Sequence, residues 1–157
     1  MTLDDPLAPH AHEPNPLPPS PDADLALYLP DGAARRISPA ELRNLNSVTV
    51  TDCYIVSTGH GTSGPFSFTG VRLRDFVDLH WSGAYTQVEV VSGDGFGTRA
   101  SRAELTAPTT RPVLLAHTCD RRPLTRADGL VRLIVPGEID DALRQVKWVA
   151  HVRILAA

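Results

Sequence analysis

Apolar residues recur at every second position in several short windows, the period of a strand with one buried face. The first window is DLALYL, where Leu25, Leu27 and Leu29 alternate with smaller or polar residues. Asp31–Gly32 follows as a hairpin turn, because glycine supplies the positive φ such a turn needs. Ser38–Pro39–Ala40–Glu41 reads as a helix entrance, with Ser38 at the N-cap, Pro39 at the first helical position and Glu41 completing a capping box. The helix is short and ends near Asn44–Asn46. SVTVTDCYIV then predicts a strand with Val48, Val50 and Asp52 on one face and Thr49, Thr51 and Cys53 on the other.

A glycine-rich stretch, GHGTSG, reads as a loop, and GVRLRDFVDLH after it as a helix. Its apolar stripe is either Val71, Phe76 and Leu79 or Leu73, Phe76 and Val77. QVEVVS is a strand, SGDGFGT a tight turn, and TRASRAEL a short strand running into a helical turn. RPVLLAHTC is a continuous apolar run, hence a well-buried strand, and DRRPLTRADG is a polar connection. LVRLIVPG is a further strand stopped by Pro136–Gly137. The end, QVKWVAHVRIL, predicts a long strand with Val146, Trp148, Ala150, Val152 and Ile154 or Leu155 on its buried face. Long helices between strands are missing, which disfavours a doubly wound parallel sheet. The fold class expected is α+β, a strand-rich core of mixed or antiparallel sheet with short helices.

Residues 1–22 hold half of the fourteen prolines and few large apolar residues, so they predict a disordered tail with His10 and His12 solvated. Residues 23–157 are expected to form a single domain. At 42% hydrophobic and 21% charged residues the composition is that of a globular protein able to bury a core. The net charge of −3 argues against a nucleic-acid partner, which would need a basic face. The pairs Arg72–Arg74 and Arg121–Arg122 read as solvated surface. No stretch reaches the roughly 18 apolar residues of a membrane span, and no apolar signal core opens the chain. Two cysteines far apart in sequence suit a reducing compartment. The expectation is a cytoplasmic protein without a membrane partner.

Most apparent motifs are weak. GHGTSG lacks the GK[ST] ending of a phosphate loop, and STGHG is not a nucleophile elbow. His117 and Cys119 lie two apart on a strand and so share a face, but a second ligand pair is lacking. Cys53 sits near a strand end beside a loop whose backbone N–H groups can approach a ligand. It is either a soft metal ligand or a small core hydrophobe.

Taken in order, the cysteine-bearing strand, FTGVRLRDFV, VEVVSGDGFGTRASRAEL, RPVLLAHTCDRRPLTRADGLVRLIVPG and VKWVAHVRIL are specific as a series. The series resembles the molybdopterin-binding oxidoreductase domain of the sulfite oxidase family across roughly residues 45 to 155. The resemblance implies the sulfite-oxidase-like molybdopterin-binding fold. It also implies a molybdenum cofactor (molybdopterin), with Cys53 as metal ligand and catalytic residue. Arg132 in VRLIVP and Lys147 in VKW match positions that hold the cofactor phosphate, and Ser57, Thr58, Gly59 and His60 would face the cofactor. The sequence departs from the family's pattern in three places. Tyr54–Ile55–Val56 replaces the asparagine and arginine that follow the cysteine in sulfite-oxidising members, Phe96 replaces a common tyrosine, and Leu130 replaces a frequent proline.

Two functions follow from the resemblance. One is an oxidoreductase acting on a small oxyanion or S/N-oxide, with an external electron-transfer partner because no haem or iron–sulfur motif is present. The other is a non-catalytic module of the same fold that binds an anion or small ligand and has lost the cofactor. Metal ligation requires the Cys53 sulfur to face a cleft shared with Arg132 and Lys147. Cys119, at a strand end, is expected to play no part.

Overall fold

The computed structural model describes residues 24–57, 61–93, 95–126, 128–136 and 144–156. The expected tail at 1–22, with His10 and His12, lies outside them, as do Thr58, Gly59 and His60. In chain order the elements are β1 (Leu25–Tyr28), β2 (Ala34–Ile37), α1 (Pro39–Arg43), β3 (Val48–Ser57), β4 (Gly61–Arg72), α2 (Leu73–His80) and β5 (Gln87–Ser92). They continue with β6 (Gly97–Ser101), α3 (Arg102–Thr106), β7 (Leu114–Cys119), β8 (Arg122–Pro123), β9 (Arg132–Ile134) and β10 (Val149–Leu155). This is the strand-rich, mixed α+β architecture that the alternating pattern implies.

One sheet runs β2-β1-β10-β5-β6, with β1 parallel to β10 and the other pairs antiparallel. The second runs β3-β4-β7-β8, with β9 also paired to β7. The β1–β2 turn forms as the Asp31–Gly32 pair requires, with Gly32 at φ +90 and Asp31 Oδ1 accepting from the Ala33 N–H at 2.9 Å. Ser38 caps α1, its hydroxyl accepting from the Glu41 N–H at 3.1 Å.

The larger cluster joins both sheets, bringing Leu27, Val88, Val90, Val152 and Ile154 against Val71, Phe76, Val77, Leu115 and Leu133. Burying each such side chain contributes about 1.5–3 kcal/mol. Phe76, Leu73 and Val77 form the buried stripe of α2, while Leu79 is 60% exposed. A smaller cluster holds Val50, Cys53, Phe68, Leu114, Ala116 and Ile134, all from the second sheet. Leu114 and Leu115 lie in different clusters, as do Leu133 and Ile134. The second sheet therefore has an apolar cluster on each face.

Four sequence expectations are corrected. The helix predicted from Gly70 starts at Leu73, because β4 pairs with β7 as far as Arg72 opposite Leu114. Gly70 makes that pairing tight, since a Cβ there would lie 2.2 Å from the Leu115 carbonyl oxygen. The stretch read as a glycine loop is strand from Gly61 onward. The last strand begins at Val149 rather than near Val146, because Trp148 adopts φ +61 and the pairing with β5 slips between Val149 and His151.

The fourth correction concerns β3. Cys53 does not share a face with Thr49 and Thr51. Val50 pairs with Phe68 and Cys53 with Phe66, so three steps along β3 match two along β4. That is a β-bulge, and Asp52 within it sits in the left-handed region at φ +56. One extra residue inverts the alternation, turning Cys53 onto the face of Val50 and leaving Thr51 and Asp52 exposed. A left-handed non-glycine residue costs about 1–2 kcal/mol, and the hydrogen bonds described below offset it.

Candidate functional site

A cleft of about 460 Å³ opens over Phe66 and Phe68, on the face of the second sheet that carries the smaller cluster. Cys119, Arg122, Asp128 and Arg132 supply its polar wall, and Ile55 and Leu124 add apolar surface. The size suits a small organic ligand.

Local chemistry builds the polar wall. Asp120 and Arg121 both take positive φ, +49 and +70, and form the two-residue turn between β7 and β8. The Ser67 N–H donates to Asp120 Oδ1 at 2.8 Å, and the Asp120 N–H donates back to the Ser67 carbonyl at 2.8 Å. This fixes Cys119 at the base of the turn, opposite Phe68. Opposite, Thr125 and Asp128 close a compact turn. The Thr125 hydroxyl donates to Asp128 Oδ2 at 2.9 Å, and the Leu130 N–H donates to the Thr125 carbonyl at 3.0 Å. Leu130, at φ +56, then leads the chain into β9 and Arg132.

Arg132 is the chemically telling residue. Its Nε is fully buried and has no hydrogen-bond partner among the described residues. Its Nη1 makes a long contact, 3.4 Å, to the Asp128 carbonyl. Burial pulls its pKa below the ordinary arginine value, with Cys119 and Asp128 opposing. Arginine stays protonated in proteins, so the guanidinium is a half-buried cation whose buried Nε is an unused donor.

Lys147 stands beside it. Burial lowers its pKa first and the Arg132 charge lowers it further, against the attraction of Asp128. Gly129, at φ +99, makes room for it: a Cβ there would lie 2.7 Å from Lys147 Cγ. The segment bearing Lys147 is pinned at both ends. Arg144 forms a two-pronged ion pair with Glu104, and Gln145 Nε2 donates to the Tyr54 carbonyl at 3.0 Å. At the far end, Arg126 stacks its guanidinium on the Trp148 ring, 5.5 Å from the centroid.

The cysteines occupy opposite situations. Cys53 is 1% exposed, packed among Val50, Phe68, Leu114, Ala116 and Ile134. Its Sγ donates to the Val50 carbonyl at 3.5 Å, and it does not line the cleft. Burial raises its thiol pKa, and the nearby Arg111 guanidinium opposes that rise. Cys119 is half-buried and lines the cleft with Arg132. Its thiol is raised by burial and then by Asp120, with Arg132 pulling the other way.

Of the residues singled out from sequence, the structure therefore places Arg132 in the cleft wall, puts Lys147 within reach of its charge but not among the cleft-lining residues, and leaves Cys53 in an apolar pack with Phe68. Ser57 pairs with Gly61 at the end of β3. His117 and Cys119 do not share a site. The pairing of β4 with β7 skips His117, whose ring bonds to the Ser47 hydroxyl at 2.9 Å and to the Thr118 hydroxyl at 2.7 Å. Sequence reading passed over Arg122, Asp128, Gly129 and the exposure of Cys119. Only Asp128–Gly129 carried a visible turn signal.

A family model described as the oxidoreductase molybdopterin binding domain matches residues 33–157, and the chain belongs to that family. Among solved structures it resembles the sulfane dehydrogenase SoxCD of Paracoccus pantotrophus, with a TM-score of 0.66 and 19% identity. That match covers 87% of this chain and 39% of the other, and it shows the sulfite-oxidase-like molybdopterin-binding fold. No curated protein matches. Among the described residues no helix is long and apolar enough to cross a membrane, and no group of three or more His, Cys, Asp or Glu side chains is placed to hold a metal ion.

The residues fit one part of the family's cofactor and not another. The unused donor of Arg132, beside Lys147, suits an anionic group such as a phosphate. The Cys53 thiol, closed in an apolar cluster and bonded to a carbonyl, does not fit a metal at this site.

Proposed function

We propose that this chain binds molybdopterin by its anionic end, with the cofactor phosphate on Arg132 and Lys147 and the pterin along the cleft over Phe66 and Phe68. The observation that carries this reading is the buried, unpartnered Nε of Arg132. A buried donor left unpaired is unfavourable, and an oxyanion hydrogen-bonded to it removes that penalty. Arg122 at the cleft mouth adds attraction for anions, while Asp128 limits it. Ser57, Thr58, Gly59 and His60 are proposed as further cofactor contacts on the family resemblance alone. When bound, the cofactor supplies oxygen-atom transfer chemistry, which suits a small oxyanion or S/N-oxide substrate and an external electron-transfer partner. Cys53 serves as metal ligand only if β3 presents it differently from the fold described above.

The test is protein made in a host that synthesises the cofactor, assayed for pterin and molybdenum. Bound pterin that is lost in Arg132→Ala and reduced in Lys147→Ala is the expected result. Equal pterin content in wild type and both variants would overturn the assignment.

The closed setting of Cys53 favours a second reading, an anion-binding module of the same fold without redox chemistry. In that case inorganic phosphate raises the melting temperature through Arg132, while pterin and molybdenum stay absent under cofactor-producing conditions. Saturation a hundredfold above Kd corresponds to about 2.7 kcal/mol of added stability.

A further inference from the structure

Arg111 makes an unusual set of bonds. Its Nη1 donates to the Thr51 carbonyl at 2.8 Å and its Nη2 to the Asp52 carbonyl at 3.0 Å. Its Nε and Nη2 both donate to the Pro136 carbonyl, at 3.3 and 3.1 Å. One guanidinium thus ties the two bulged residues of β3 to the chain segment that follows β9. Among the described residues β3 lies at the sheet edge, with no further strand to take those carbonyls. The planar fork holds three acceptors in a fixed geometry that a single ammonium cannot reproduce.

The bulge alone decides where Cys53 points. With regular alternation from Val50, Cys53 would fall on the face of Thr49 and Thr51, both exposed. With the bulge it falls beside Val50 and Phe68 and is buried.

We propose that Arg111 is the positioning residue for Cys53: by clasping the Thr51 and Asp52 carbonyls it holds the β3 bulge and keeps the thiol turned into the apolar cluster. Access to Cys53 is thereby set from a residue that does not line the cleft. The inference does not depend on whether the cleft takes molybdopterin.

The experiment is iodoacetamide labelling of the folded protein, read per cysteine by mass spectrometry. In wild type Cys119 labels and Cys53 is protected. In Arg111→Ala the Cys53 rate rises at least tenfold while the Cys119 rate stays within twofold. Arg111→Lys falls between the two. Val88→Ala, a core variant in the first sheet, controls for general loss of stability and leaves Cys53 protected.

Asp52→Gly is the decisive addition, because glycine holds φ +56 without strain. In the Arg111→Ala background it restores protection of Cys53, and it also restores folding if Arg111→Ala alone does not fold. The proposal is overturned if Cys53 stays protected in folded Arg111→Ala, if Val88→Ala exposes it equally, or if the Asp52→Gly double variant remains unprotected or unfolded.

Discussion

The two sheets solve different problems with the same kind of sequence. In the first sheet, β1, β5 and β10 run with one pairing slip, at Val149, and their apolar residues meet the larger cluster in simple alternation. In the second sheet β3 slips twice against β4, and β4 slips against β7. Asp52, Asp120 and Arg121 take left-handed conformations within or beside its strands, and Leu130 does so just before β9. The irregular sheet is the one that carries the cleft, the buried arginine and both cysteines. Regular pairing maximises burial. Irregular pairing re-aims individual side chains, as bulges beside functional sites do.

Substitutions on the two sides should break this contrast in order of size. The largest effect belongs to the regular side. Phe76→Ala removes a fully buried ring from the larger cluster and should lower stability by about 3–5 kcal/mol in urea unfolding, without changing the cleft. Cys53→Ser comes next, at about 1–3 kcal/mol, because it places a hydroxyl in an apolar pack. Cys119→Ser, at the half-exposed thiol, should change stability by no more than about 0.5 kcal/mol. Equal losses for the two serine variants would mean that Cys53 is not a core residue.

Arg132→Met should run in the opposite sense. Removing the buried, unpaired Nε donor raises stability by about 1 kcal/mol in the absence of anions and abolishes any phosphate-dependent rise in Tm. Such a gain in stability coupled to a loss of binding marks a residue kept for a ligand.

A pH slope tests a histidine on each of the same two sides. Burial and the Arg43 charge hold the His117 pKa below its ordinary 6.5, and burial and Arg35 do the same for His80. On acidification the unfolded chain takes up these protons first. The stability tied to them is therefore full above about pH 6.5 and is lost as pH falls below it. Each such proton contributes at most ~1.4 kcal/mol per pH unit. Unfolding midpoints between pH 7 and 5 should show this decline, and His117→Gln should flatten it.

Much of the fold was legible in the chain. Leu25, Leu27 and Leu29 declared a strand, Asp31–Gly32 a turn and Ser38–Pro39 a helix start, because each depends on neighbours within a few residues. The series of motifs from the cysteine strand to VKWV also identified the family, and singled out Arg132 and Lys147, which the fold sets close enough for their charges to interact. Their proximity in the fold rests on Gly129, whose missing side chain lets Lys147 lie across the turn. The orientation of Cys53 was not legible. Strict alternation put it opposite Val50, and no local signal in Thr51–Asp52–Cys53 marks a bulge, since Asp52 is not a glycine.

Sequence by itself determined what short-range physics controls: strand period, turns, caps, and the order of motifs that fixes the family. Tertiary structure alone decided which thiol is closed and which is open. Arg111 holds the bulge from sixty residues further along the chain, and Cys119 stays half-buried at the cleft wall because a turn anchored on Ser67 holds it there. Both depend on hydrogen bonds between segments remote in sequence, and a one-residue slip in pairing is enough to exchange the faces of a strand.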